Sequence, residues 1–164
     1  MDTHPNRLLI ERFYCAFGNN DWLTMADCYA DHARFSDPVF ANLDAAGARA
    51  MWHMLLAQTE DLTIESHVVH ADDDAVHAIW IARYTFGPTA RAVENRIKAR
   101  FELADGKIVR HVDDFDLWRW SRQALGLPGV LFGWSFLFRR QLRRKAARRL
   151  ERFRARADAM STGI

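Results

Sequence analysis

Cysteine and proline are scarce in this chain, and long apolar runs are missing. Two cysteines, Cys15 and Cys28, stand among 164 residues. They make no metal-ligand spacing, and so few thiols point to a reducing compartment rather than a disulfide-stapled fold. No stretch of about 18 apolar residues occurs, so no membrane-spanning helix is expected. The first residues, Met-Asp-Thr-His-Pro-Asn-Arg, lack the basic start and apolar centre of a signal peptide, and a cytoplasmic location is expected. There is no phosphate-cradling glycine loop, no G-x-S-x-G and no dinucleotide fingerprint, so no cofactor is expected. No H-x-H or H-x-x-x-H spacing supports a metal site, and none is expected.

What is present is uneven. The formal charge of +2 conceals two opposite regions: residues 1–138 carry 13 Lys/Arg against 19 Asp/Glu, and residues 139–164 carry 10 against 2. An acidic body with a basic tail is implied.

The pattern along the body is helices first, strands after. Leu8, Leu9, Phe13, Ala16 and Phe17 recur at helical spacing over 5–18. Gly18-Asn19-Asn20 ends that helix, and Asp21 caps a second over 21–30 carrying Trp22, Met25, Ala26 and Tyr29. A short strand is expected at 33–37. Asp44 caps a third helix, 45–58, with Ala48, Met51, Trp52 and Leu55 on its apolar face. Four longer strands follow at about 62–71, 75–86, 95–104 and 107–117. Asp72-Asp73-Asp74, Gly87-Pro88 and Asp105-Gly106 form the turns between them, the last a strong hairpin signal. This order reads as α+β.

One short stretch concentrates the chemistry. In Tyr29-Ala30-Asp31-His32-Ala33-Arg34-Phe35-Ser36-Asp37-Pro38-Val39, Asp37 lies in line with apolar Phe35 and Val39 and precedes a proline that favours extended backbone. Such a carboxylate either braces the Pro38 turn in water or lines an apolar cavity, where desolvation raises its pKa and fits it for acid/base work. In the last strand, Val109, His111, Asp113, Phe115 and Leu117 share a face.

This stretch, with the helix opening at Gly47-Ala48-Arg49-Ala50-Met51-Trp52 and the strands behind it, resembles the nuclear transport factor 2-like superfamily, which includes ketosteroid isomerases and SnoaL-like cyclases. The resemblance covers about residues 6–116. It implies a cone-shaped α+β barrel: three N-terminal helices packed on a curved antiparallel or mixed sheet, enclosing a pocket for a hydrophobic small molecule. Two regions follow, a SnoaL-like domain over 1–117 and a helical extension over 118–164. The pocket face is expected to carry His111, Asp113 and Phe115 on the last strand, Ile97, Ala99, Phe101 and Leu103 on the strand before, and His77, Ile79, Ile81 and Arg83 on 75–86. Trp80 and Tyr84 are then expected outside, beside Arg96, Arg100 and Glu102, as the surface of a homodimer.

Site residues can be carried over one at a time. Asp37 matches the isomerase general base. The isomerase's oxyanion-hole tyrosine falls on Phe13, with Tyr14 pointing elsewhere, and its protonated aspartate falls on Ala99 or Lys98. With both donors missing, ketosteroid isomerase activity is not expected. The SnoaL-like branch fits better, with Asp113 and His111 as its late-strand acid/base pair. The expected catalytic set is therefore Asp37, Asp113 and His111. The expected substrate contacts are Phe13, Phe35, Trp52, Ile79, Ile81, Arg83, Phe101 and Phe115, with Arg83 equally readable as an ion-pair partner. The implied chemistry is isomerase-, cyclase-, hydratase- or dehydratase-like, on a polyketide-, steroid- or terpenoid-like substrate. The alternative is a non-catalytic ligand-binding or assembly module.

The extension reads as a short helix closed by Gly126, a break at Leu127-Pro128-Gly129, an aromatic stretch over 130–138 and an arginine-rich helix over 139–156. Leu142, Ala146, Leu150 and Phe153 make one apolar stripe in a cationic surround. The stripe reads first as a face packed back on the acidic body or on a second subunit. A second reading places 130–156 on an anionic membrane as a peripheral anchor. Nucleic-acid binding is not expected, since no nucleic-acid module is present.

Overall fold

A computed structural model describes residues 4–162. The first three residues of the segment read for an export signal, and the last two of the basic tail, lie outside the described residues. Helices α1 (Pro5–Gly18) and α2 (Trp22–Asp27) come first, then strands β1 (Tyr29–Ser36) and β2 (Leu43–Asp44), then helix α3 (Ala45–Ala57). Strands β3 (Thr63–Ala71), β4 (Ala75–Phe86), β5 (Arg91–Ala104) and β6 (Lys107–Asp114) follow, then helices α4 (Leu117–Leu125), α5 (Leu127–Phe132) and α6 (Phe136–Thr162).

The caps that start the helices are encoded locally. Asp21 Oδ1 accepts the Thr24 amide at 3.0 Å and Asp44 Oδ1 accepts the Gly47 amide at 2.7 Å, each satisfying an otherwise orphaned first-turn donor. Asp105 and Gly106 both have positive φ, 51° and 69°, which is the backbone of a two-residue hairpin matched to strand twist.

The strands form one mixed sheet in the order β2-β1-β6-β5-β4-β3. All pairs are antiparallel except β1 with β6, which run parallel. The three N-terminal helices cover its concave side, and the α+β cone expected from the resemblance is the architecture found. Several boundaries differ from the sequence reading, among them the start of β5, at Arg91 where about residue 95 was expected. Strand β1 begins at Tyr29, inside the stretch read as helix, and the last strand ends at Asp114, before Phe115.

The phase of β4 is the main correction. Trp80 pairs with Ile97 and Ala78 with Ala99, while Ile79 pairs with Lys98 and Ile81 with Arg96. Directly paired residues share a face, so Val76, Ala78, Trp80 and Ala82 point into the cone, and all four are buried. Ile79, Ile81 and Arg83 lie on the outer face, and Trp80 is absent from it. Arg83 ion-pairs there with Glu65 at 2.6 Å and Glu94 at 2.7 Å.

The basic helix lies along the body. Leu150 is buried, and Ala146 and Phe153 pack beside it on the main core. Leu142 packs on a second cluster of Val93, Leu117, Trp120 and Ala124. The Phe153 ring meets His53 edge-on, and His53 stacks on Trp22 at 3.9 Å. All ten Lys/Arg of 139–156 are exposed on the remaining circumference. Among the described residues, no helix is long and apolar enough to cross a membrane.

Candidate functional site

Inside the cone a hydrogen-bonded chain runs through aromatic packing. Trp52 Nε1–H donates to Tyr29 Oη at 2.9 Å, and Tyr29 Oη lies 2.7 Å from His111 Nδ1. His111 Nε2 lies 3.0 Å from Asp113 Oδ1, which also accepts from Trp80 Nε1–H at 3.3 Å. Only one proton arrangement satisfies every member with a neutral imidazole. Tyr29 O–H donates to Nδ1, and Nε2–H donates to the carboxylate. His111 and Asp113 are both buried, so this pairing is what makes their burial tolerable.

Strand geometry assembles the chain. His111 is paired with Phe101 and with Phe35, and Asp113 with Ala99, so all share the concave face. Helix α3 brings Trp52, and the first residue of β1 brings Tyr29. The Phe101 and His111 ring centroids are 4.0 Å apart. Phe13 sits at the centre, with the rings of Tyr14, Tyr29, Trp52, Phe101 and His111 between 5.4 and 6.0 Å away. The interior around His111 is thus filled by side chains. Clefts open to solvent lie outside the buried His111 side chain. One of about 370 Å³ is lined by Asp61, Arg83, Glu94 and neighbours. One of about 360 Å³ is lined by residues that include Arg34, Glu102, Arg110 and His111.

Tyr14 adds a polar group the sequence reading had turned away. Its ring packs against Trp80 and Phe101. Its hydroxyl is buried with no hydrogen-bond partner among the described residues. Burial, with the nearby Asp113 charge second, pushes the Tyr14 phenol well above its ordinary pKa.

Asp37 sits at the end of β1, in a turn it braces itself. Its Oδ1 accepts the amides of Val39 at 2.6 Å and Phe40 at 2.5 Å. Desolvation pushes the carboxyl up to about 7, against the two amides that hold it down. The Asp113 charge raises it further and Arg143 of α6 lowers it. Arg143 Nε donates to Pro38 O at 2.9 Å, so α6 crosses directly over this turn. Asp37 thus braces the Pro38 turn with its side chain, and burial raises the pKa of the same carboxyl.

Of the expected site residues, the fold brings together His111, Asp113, Phe13, Phe35, Trp52 and Phe101. Phe115 is partly buried where the two apolar clusters meet. Asp37 bonds instead within its own turn, near enough for the Asp113 charge to act on it, and Ile79, Ile81 and Arg83 lie on the outer face. Sequence reasoning missed Tyr29, Trp80 and Tyr14. Tyr29 heads the very motif that drew attention, and correct phasing of β4 against Ile97 would have found Trp80. Among the described residues, no group of three His, Cys, Asp or Glu is placed to hold a metal ion.

Residues 10–111 match the family model described as the SnoaL-like domain, which spans well over half of the chain. The chain belongs to the SnoaL-like family. Solved structures share this family's cone. IdmH, a polyketide cyclase candidate from Streptomyces antibioticus, is 24% identical, with a TM-score of 0.63 over 73% of this chain and 98% of that one. An LEH-like epoxide hydrolase from M. tuberculosis is 21% identical, with a TM-score of 0.60 over 80% of this chain and 98% of that one. A SnoaL-like polyketide cyclase candidate from Jannaschia sp. CCS1 is 16% identical, with a TM-score of 0.66 over 76% and 93%. At these identities the likeness is one of fold. No curated protein gives a significant match.

Proposed function

We propose that this SnoaL-like protein binds a hydrophobic small molecule at the Asp37 end of the cone and moves a proton on it without a cofactor. The observation that carries this reading is the buried Trp52–Tyr29–His111–Asp113–Trp80 chain. In it a carboxylate orients an imidazole whose other nitrogen accepts the phenol O–H, so Tyr29 can take a proton from a guest on its oxygen as its own proton passes to His111. Asp37, poised near neutral pH, supplies the second acid/base group. Two groups of this kind suit an enolisable ketone of polyketide type, where one withdraws a proton and the other returns it. The neighbours named as polyketide cyclase candidates support that substrate class.

The ring-filled interior favours a second reading, a binding module with no turnover. The two separate in one experiment. Native mass spectrometry of the purified protein identifies any small molecule carried along. Incubation with aromatic polyketide-type ketones in deuterated water then reports solvent exchange at the carbon beside the carbonyl. Exchange that falls on Asp37→Asn and Asp113→Asn substitution supports catalysis. A bound ligand with no exchange leaves the binding module, and neither result would remove both. We further propose a homodimer through the outer face of β4, where Ile79 and Ile81 are half-buried between charged neighbours.

A further inference from the structure

Helix α5 is built inside out. Gly129 and Gly133 face the protein, and the large apolar residues face solvent. A Cβ on Gly129 would lie 1.9 Å from Ser121 O, and one on Gly133 would lie 2.4 Å from Gly129 O and 2.8 Å from Ser121 Cβ. The glycines therefore let α5 dock backbone-close on α4. The consequence is on the other side, where Leu127, Leu131, Phe132, Trp134, Phe136 and Leu137 are between 60% and 76% exposed. Soluble surfaces rarely hold so many large apolar side chains in eleven residues. Tight packing fixes them outward, so this is a held projection and not a loose segment.

The surroundings are cationic. Arg119 and Arg122 of α4 are exposed beside α5, with Arg122 stacked over Trp118 at 4.4 Å. Arg139 and Arg140 open the arginine-rich face of α6 immediately after Leu137. The apolar stripe of α6 is occupied by the body, so the arginines of 139–156 have no apolar face of their own to insert. We infer that residues 127–137 form a tip that inserts into the surface of an anionic lipid bilayer, with the flanking arginines on the lipid headgroups. The charge decides for lipid over a second copy. Two such tips would bring two sets of arginines together, whereas an anionic surface neutralises them. Trp134, with its indole N–H turned back to Leu131 O at 3.0 Å, is of the residue type that settles at headgroup depth. The inference is independent of the interior's chemistry.

The test uses the full chain and vesicles of phosphatidylcholine with about one third phosphatidylglycerol. The protein should co-sediment with them, and bound protein should show quenching of tryptophan emission by brominated acyl chains, reduced in Trp134→Phe. Raising salt to about 0.5 M should weaken binding without abolishing it, because the apolar insertion is not screened. The double variant Leu131→Ser, Phe132→Ser should lose at least about tenfold in vesicle affinity at an unchanged melting temperature, since both residues are exposed. Failure to bind at low salt would overturn the inference. So would equal binding by the double variant, which would assign binding to the arginines alone. A mass in light scattering that falls on the double substitution would instead assign the tip to a second copy.

Discussion

Tyr29 Oη lies 2.7 Å from His111 Nδ1 and takes the Trp52 indole N–H on its other side. The phenol therefore completes two buried partners at once. One comes from the parallel neighbour strand and the other from the helix above it.

Replacing Tyr29 by Phe should leave the packing volume nearly unchanged and strand both partners. A buried polar group without a partner costs about 1–3 kcal/mol, so Tyr29→Phe should destabilise by roughly 2–4 kcal/mol in urea titration. A loss under about 0.5 kcal/mol would show that the chain does not hold in solution. If Tyr29 relays the proton, the same variant should also lose most ketone exchange.

Asp37 makes stability depend on pH with a definite sign. Its folded pKa of about 7 stands above the ordinary aspartate value of 3.8, so the folded state holds the proton more tightly than the unfolded chain does. The associated stability is complete below about pH 4 and is lost as pH rises through about 7. Asn at this position keeps an oxygen for the Val39 and Phe40 amides and carries no charge. Asp37→Asn should therefore flatten the fall in melting temperature between pH 5 and 8. At pH 8 it should be more stable than the parent by roughly 1–2 kcal/mol, below the full 1.36 kcal/mol per unit because the residue is only half-buried. Parallel pH profiles for the two proteins would refute this.

How far the sequence carried the reading depended on whether one signal stood alone. Helices α1 and α3, the Asp21 and Asp44 caps and the Asp105-Gly106 hairpin each rest on an unopposed local preference, and each appears. The concave face of β6 was legible from His111 onward, where Arg110 and Asp114 mark the other face, but a register shift against β5 puts Ile108 and not Val109 in the core. Strand β4 gave no such contrast. Ile79 and Ile81 on one face are larger than Ala78 and Ala82 on the other, so alternation favoured the wrong phase, and only pairing with Ile97 fixes it. Strand β1 was cut short because Met25 to Tyr29 keeps helical spacing with no breaker. Leu127-Pro128-Gly129 read as a break, yet proline in a first turn starts a helix as readily as it ends one, and α5 begins there.

The outer face of β4 gives a test of assembly. On the register above, Ile79 and Ile81 sit opposite Lys98 and Arg96, and two lysines in their place would crowd four like charges together. If this face pairs two copies, light scattering at micromolar concentration should give twice 19.0 kDa for the parent. The variant Ile79→Lys, Ile81→Lys should give half that mass, with its fold intact by circular dichroism. A monomeric parent would end the dimer reading.

Gly129 should be intolerant of even one methyl group. The obstacle to a Cβ is the Ser121 carbonyl, a backbone atom that cannot swing aside. Gly129→Ala must lift α5 off α4, at about 1–3 kcal/mol for forced overpacking, and the Trp118 and Trp134 environments should change in fluorescence. The exposed Gly87, with nothing near its Cβ position, should accept alanine with little change and serves as the control.

Two leucines on α6 separate a docked helix from a hanging one. Leu150 is 4% exposed, and Leu137, one end of the same helix, is 72% exposed. If α6 lies along the body, Leu150→Ala opens a cavity against the core and should cost about 2–4 kcal/mol. Leu137→Ala removes nothing packed and should stay within about 0.5 kcal/mol. A tail without a fixed position would make both neutral. The same docking places Arg143 over the Asp37 turn, where its charge holds the carboxyl down. Leu150→Ala should therefore also loosen that contact and move the pH midpoint of the Asp37-dependent melting profile upward. Arg143→Gln should move it the same way while leaving the Leu150 packing untouched. Coincident shifts from two residues two turns apart would tie the helix to the site. A shift from Arg143→Gln alone would confine the coupling to that one contact and leave the rest of α6 as packing.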